Sequence, residues 1–381
     1  MVQLTWPQVL AFRLKRHFLE ERAARGDLLT VVGRTCGLHA QVMSSAELAA
    51  WARIDGLDSG DVRAALWQER TLVKTWGMRW TLHLFSTADY PVYLAAFRAF
   101  GHFRRERWLT SYGLTADDMN ALLESFRVTL TGDGLTREQL ADAVAQQAGR
   151  PYLRDKLLGG FGTLLKPGAY QGHLVFGPSR GQNVTFVSPR QWLGGFPELD
   201  TDDARLETVR RYLSAYGPAT PGDFASWWGA TRADSRKLFR ALGDELIPVS
   251  VEGWDTWGLH ADADALQSVK PSTAVRLLPG FDPYTVGLRR EREAALSAEQ
   301  KRRVFSQQGW ISAVVLAGGY VVGVWKYQVK QAQLAVTVEP FAPLSRAIRD
   351  GIVLVADHNA YHIGEFAIMR QVMGTWGNAP H

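Results

Sequence analysis

The sequence predicts an α+β chain built from three tandem winged-helix units, a small C-terminal β-barrel and a terminal helix. A capped helix, a second amphipathic helix and two strands joined by a turn recur in that order through residues 1–268, the local order of a winged helix. After Thr273 the helical periodicity gives way to short strands separated by glycine turns, the pattern of a barrel or curled sheet. The expected boundaries are 1–110, 111–200 and 201–268 for the winged helices, 269–347 for the barrel and 348–381 for a helical, histidine-bearing tail.

In the first unit Ser44 and Glu47 have capping-box spacing ahead of a helix that buries Leu48 and Trp51, and Asp58 caps a second helix carrying Val62, Ala65 and Leu66. Strands are expected at Thr71–Trp76 and Arg79–Leu84, turning at Gly77-Met78. The second unit has a box at Thr136 and Gln139, with Leu140, Ala143 and Val144 facing inward, and a further helix over Arg154–Leu165. Its strands are His173–Phe176 and Val184–Val187, with Pro178–Gln182 as the wing tip and Arg180 exposed on it. In the third unit Thr220, Pro221 and Asp223 supply an N-cap, a proline at N1 and an acidic N3, with Phe224, Trp227 and Trp228 as core anchors. Its next helix places Leu238, Ala241 and Leu242 on one side, while Arg232, Arg236 and Arg240 recur every four residues on another, where a recognition helix meets phosphates. Strands Ile247–Val251 and Trp254–Leu259 close that unit. The barrel strands are Val275–Leu278, Gly309–Leu316, Gly319–Trp325 and Gln333–Val338, with a turn at Gly318-Gly319, and Glu291–Arg303 is a helix or an exposed loop.

At 381 residues and 46% hydrophobic content, each module has ample core. No apolar run approaches the roughly 18–20 residues that span a bilayer, and Met1–Trp6 lacks a signal-peptide pattern, so a soluble, cytoplasmic protein without a membrane partner is expected, and a monomer is expected as well. A lone cysteine, Cys36, excludes an internal disulfide and a cysteine-cluster metal site. The net charge of +5 is gathered in clusters at Arg104–Arg107, Arg232–Arg240 and Arg289–Arg292, which suits attraction of phosphates.

No phosphate loop, dinucleotide fingerprint, nucleophile elbow or zinc-finger spacing occurs, and Gly159–Gly162 reads as a turn. Asp282, between Pro279 and Pro283, reads as a turn residue rather than an acid catalyst. His358 and His362 share one helical face but have no third ligand nearby, so neither a metal nor another cofactor is expected. That leaves His39 and Gln41, whose two-residue separation lets both side chains project together from an extended loop entered at Gly37. Each side chain carries a donor and an acceptor, so the pair can orient one water; by residue type alone a capped turn is the favoured account.

Leu38-His39-Ala40-Gln41 with Ala49–Arg53 resembles the opening motif of the AlkZ/YcaQ family of bacterial winged-helix DNA glycosylases. Met78–His83, Gly217–Pro221 with Phe224–Gly229, Leu277–Tyr284, Val321–Lys326 and Val338–Phe341 extend the resemblance over residues 1–347. The resemblance implies tandem winged helices and a barrel around a DNA channel. The family's catalytic motif is commonly Gln-aliphatic-Gln or Gln-aliphatic-Asp; this chain has the His-aliphatic-Gln form, with Trp80 where glycine is frequent. It therefore implies a monofunctional hydrolase that removes alkylated purines from duplex DNA, bulky natural-product adducts included, with His39 and Gln41 holding the water. Arg79, Arg232 and Arg236 become phosphate contacts, together with Trp80, Arg180 and Arg240 along the DNA path. Ala356–Glu365 is similar to the last helix of DinB-like bundle proteins, and a metal-dependent enzyme of that kind would need ligands this chain lacks. The competing function is a non-catalytic winged-helix regulator bound to duplex DNA.

Overall fold

Where a proline follows a threonine and an acidic residue stands two further on, a helix starts. Thr220 Oγ1 accepts the Asp223 N–H at 3.2 Å, Asp223 Oδ2 accepts the Thr220 N–H at 2.8 Å, and the helix Pro221–Trp228 follows. Phe224, Trp227 and Trp228 are buried beneath it, as expected. The computed structural model describes every residue except 59, 289–294, 307–308, 331–332 and 357–381. The chain divides into two compact units, one made of Met1–Arg63 with Val209–His381 and the other of Ala64–Thr208. No helix among the described residues is long and apolar enough to cross a membrane.

The discontinuous unit contains two sheets. In the first, the strand Leu246–Val251 pairs antiparallel with Trp254–Leu259 and parallel with Val2–Leu4, so the N-terminus completes a hairpin formed far along the chain. The helix Trp6–Arg16 packs Val9 and Phe12 against Leu4, Val249, Val251 and Leu266. The helix Arg232–Leu242 buries Ser235, Leu238, Phe239 and Leu242. Ala241, expected inside, is exposed, because the larger Phe239 takes the inward position.

The second sheet has four antiparallel strands in chain order: Val275–Leu278, Val314–Ala317, Tyr320–Lys330 and Gln333–Pro340. Gly318 and Gly319 turn its central hairpin at φ +58° and +86°, at the expected position. The expected barrel is not formed: among the described residues the first and last strands do not pair, and the sheet stays open. Its two faces are already covered. Leu278, Val314 and Leu316 pack with Leu10, Leu14 and Tyr284, while their neighbours Leu277 and Val315 pack with Leu48 and Ile352. A sheet buried on both faces has no need to close on itself. The expected Glu291–Arg303 segment contains a helix over Ala298–Val304, opened by a box between Ser297 and Gln300, and a further helix occupies 346–356.

The helix Met43–Trp51 starts one residue before Ser44, with Val42 at the N-cap. The expected box is absent because Glu47 is buried and accepts from Arg63 Nε at 2.7 Å, an interaction that outweighs a local cap. Leu48 and Trp51 are buried as expected. Before the helix Asp61–Trp67, the Asp58 carboxylate pairs with Arg25, while the Asp58 N–H donates to Asp61 Oδ2 at 2.9 Å.

In the continuous unit, Thr115 with Asp118 opens the helix Ala116–Thr129, and Thr136 with Gln139 opens Arg137–Ala148. Leu140 and Val144 are buried, and Ala143 is half-buried. The expected Arg154–Leu165 helix is broken into Leu153–Leu158 and a tighter turn over Gly160–Leu165, since Gly160 lies at φ +59°. The strands Val175–Arg180 and Asn183–Val187 form a hairpin flanked by Leu135–Thr136, so most of the expected wing tip is strand. The strands Leu72–Trp76 and Leu82–Ser86 pair as a second hairpin. Arg79 and Trp80 sit in the turn between these two strands rather than in the second strand.

Candidate active site and DNA-contact residues

Cys36 and Gly37, at φ +59° and +92°, turn the chain sharply out of the helix Leu28–Arg34. Leu38 and His39 are consequently extended, and residues 40–42 are irregular up to the helix at Met43. This is the non-helical geometry expected for the loop that carries His39 and Gln41. Leu38 and Ala40 are fully buried anchors, His39 is buried between them, and Gln41 is exposed. The Gln41 N–H faces His39 Nδ1 at 3.5 Å, a long and weak contact.

The His39 imidazole lies flat on the ring of Phe281, with centroids 4.9 Å apart and planes 13° apart. Trp310 meets Phe281 edge-on at 5.0 Å and is 55% exposed, carrying the aromatic cluster to the surface. Beside it opens a cleft of about 490 Å³ lined by Val42, Ser44, Ser45, Gly280, Trp310 and Lys326, among others. Lys326 is held by Glu339 at 2.9 Å, and that hydrogen bond keeps the Glu339 carboxyl below its usual range. Asp282, expected as a turn residue, does cap the helix Pro283–Gly287 by accepting the Tyr284 N–H. It is also locked in a fully buried bidentate pair with Arg53, both contacts at 2.7 Å.

The predicted DNA contacts fall in both units. Arg79 and Trp80 occupy the turn Met78–Trp80 in left-handed backbone, φ +52° and +59°. Trp80 is 40% exposed and tilts against His102 at 4.7 Å. Burial, reinforced by Arg105 and Lys166, lowers the His102 pKa, so the indole rests on a neutral ring at pH 7. Arg180 donates to the carbonyls of Asp133 and Gly134 at 3.2 and 3.0 Å, which fastens its hairpin. Arg232, Arg236 and Arg240 are exposed along one helix of the other unit. Arg236 and Arg240, joined by Lys237, line a surface pocket of about 800 Å³ whose lining includes Pro221 and Trp257. His358, His362 and the Arg289–Arg292 cluster lie outside the described residues.

Arg53, Phe281, Trp310, Lys237 and Trp257 escaped the sequence reading. Arg53 and Phe281 do lie in stretches that carry the family resemblance, Ala49–Arg53 and Leu277–Tyr284. Nothing in either stretch announces a contact between positions 229 apart.

A buried histidine and an exposed glutamine on one loop, in a chain whose basic helix faces solvent, fit a hydrolase working on DNA. The chain is a DNA glycosylase: residues 32–359 match the family described as DNA glycosylase AlkZ-like, and the chain belongs to that family. It is 36% identical over 346 residues to the interstrand DNA cross-link repair glycosylase of Streptomyces sahachiroi, covering 89% of this chain and 92% of that protein. The solved structure of Streptomyces sahachiroi DNA glycosylase AlkZ superposes with a TM-score of 0.85 at 35% identity, over 93% of this chain and 96% of that one. These likenesses decide for an enzyme over a non-catalytic regulator.

Proposed function

We propose that this glycosylase hydrolyses the N-glycosidic bond of alkylated purines in duplex DNA, with N7-alkylguanine and N3-alkyladenine as the reacting bases. The range includes bulky adducts and, as the name of the Streptomyces relative suggests, cross-linked strands. The observation that supports this reading is the non-helical loop that sets a buried His39 and an exposed Gln41 two residues apart.

Alkylation at N7 or N3 leaves the purine cationic, so the departing base needs no proton from the enzyme. What remains is to stabilise an oxocarbenium-like sugar and to deliver water to C1′, the demand met in glycoside hydrolysis. Gln41 and His39 orient that water, and a neutral His39 accepts its proton as attack proceeds. No lysine adjoins the motif in sequence, and Lys326 in the neighbouring cleft is engaged by Glu339. That argues for a monofunctional hydrolase without a Schiff base. In this reading the helix–helix–hairpin stretches of residues 1–110, 111–200 and 201–268 act as winged helices on the duplex. Arg79, Trp80, Arg180, Arg232, Arg236 and Arg240 contact the DNA.

The test is release of 7-methylguanine, and of a bulkier N7-guanine adduct, from labelled duplex by wild type, His39→Ala and Gln41→Ala. Each variant is expected to be slower by about 10²-fold, the scale of general-base catalysis. Strand breakage should require subsequent heat or alkali. Full release by Gln41→Ala, or no release by wild type, overturns the proposal.

A further inference from the structure

Phe281 combines two properties that do not ordinarily coincide. Its backbone is left-handed at φ +62°, a conformation that a bulky side chain adopts only under constraint. Its ring supplies the flat surface on which His39 lies.

The constraint is visible on both sides of the residue. On the N-terminal side Gly280 passes so close to Ile311 that a Cβ would stand 2.8 Å from the Ile311 carbonyl oxygen. On the C-terminal side Asp282 is fully buried, and each of its carboxylate oxygens takes one Arg53 nitrogen at 2.7 Å. Oδ1 accepts the Tyr284 N–H as well, at 2.9 Å. Arg53 Nη1 also donates to Ala49 O at 2.8 Å, binding the guanidinium to the helix that begins directly after the His39–Gln41 loop. One ion pair therefore ties that helix to the residue beside Phe281.

We propose that Phe281 is a positioning residue for base excision: its ring sets the plane of the His39 imidazole, and the Arg53–Asp282 pair holds Phe281 in the backbone conformation this stacking requires. The inference rests on the reading of His39 as a water-holding group. A flat partner fixes the plane in which both ring nitrogens lie, whereas an aliphatic side chain of similar volume lets the ring tilt. Misplacement of a reacting group by about 1 Å can cost on the order of 10²-fold in rate.

The experiment is single-turnover release of 7-methylguanine from duplex DNA by wild type, Phe281→Leu, Phe281→Tyr, His39→Ala and the Phe281→Leu/His39→Ala double variant. DNA affinity at fixed salt is measured alongside. Phe281→Leu is expected to lose about 10- to 100-fold in rate with affinity within about 2-fold of wild type, and Phe281→Tyr to stay within about 3-fold. In the His39→Ala background Phe281→Leu is expected to cost nothing further, since its effect passes through the imidazole. A slow His39→Ala beside a wild-type Phe281→Leu overturns this inference while sparing the reading of the motif. So does a Phe281→Leu loss that is undiminished in the double variant, as a general loosening would give. A His39→Ala enzyme at wild-type rate overturns both. Should Phe281→Leu not fold, the histidine ring protons of wild type decide: the His39 signal, assigned by its loss in His39→Ala, is expected upfield from the Phe281 ring current. A random-coil position overturns the stacking role.

Discussion

At the scale of single residues, Asp282 is the clearest case of a role decided by a distant partner. Removing its carboxylate with Asp282→Ala would strand the fully buried Arg53 guanidinium, for which a cost of about 3–5 kcal/mol is usual. Denaturant unfolding of the purified variant measures it, and a loss under about 1 kcal/mol would mean that the pair contributes little. Proline-bounded local sequence reveals only the capping half of this residue, because Arg53 belongs to another motif. Trp80 makes the opposite case, a large apolar side chain that remains accessible where a core residue would be covered. If bases stack on it, Trp80→Ala should weaken binding of lesion DNA by roughly 10-fold at fixed salt, in keeping with about 1–3 kcal/mol per stacked base. Unchanged affinity in a binding titration would assign the indole to packing on His102.

At the scale of elements, legibility follows the range of the interactions. The boxes at Thr136 and Thr220 are readable because both partners lie within one turn. The Ser44–Glu47 box is not formed because Arg63 competes for the glutamate. Asp118 in the helix Ala116–Thr129 combines both ranges. Burial alone would raise its pKa, but hydrogen bonds from Tyr152, from Thr115 and from Arg150 prevail and bring it down to about 2. Because the folded pKa lies below the ordinary value, this carboxylate stabilises the fold fully above about pH 4. The contribution fades as pH falls through about 2. Asp118→Asn should therefore melt several degrees below wild type at neutral pH, with the gap closing between about pH 4 and 2. A pH-independent gap would show that charge is not the cause. On the Arg232–Leu242 helix, Arg236→Ala and Arg240→Ala are each expected to lower the salt slope of DNA binding by about 1. An unchanged slope places that arginine away from phosphates.

At the scale of the whole molecule, strand positions were more legible than closure. All four strands of the C-terminal sheet overlap their expected places, although the second begins at Val314 rather than Gly309, yet the barrel does not form. Alternation identifies which residues are buried, but not whether a lumen or a helix buries them. Leu10, Leu14 and Leu48, which cover the two faces, come from the other end of the sequence. The strand Val2–Leu4 was invisible for the same reason, since its pairing partners begin at Val249. The division into two units carries a prediction of its own. In hydrogen exchange, Asp282→Asn should lose protection in the unit that contains it, while the amides around Phe126 and Leu140 keep theirs. Equal loss throughout would mean that the protein opens as one cooperative body.

Ribosomes deliver this chain in one direction, and the parallel pairing of Val2–Leu4 with Val249–Val251 conflicts with that order. The strand Val2–Leu4 has no seat until Val249–Val251, far along the chain, has followed it. Meanwhile Ala64–Thr208, a compact unit of its own, can mature on the way. A newly made chain therefore carries Val2–Leu4 unpaired until then, the interval in which a cell's chaperones would find it exposed.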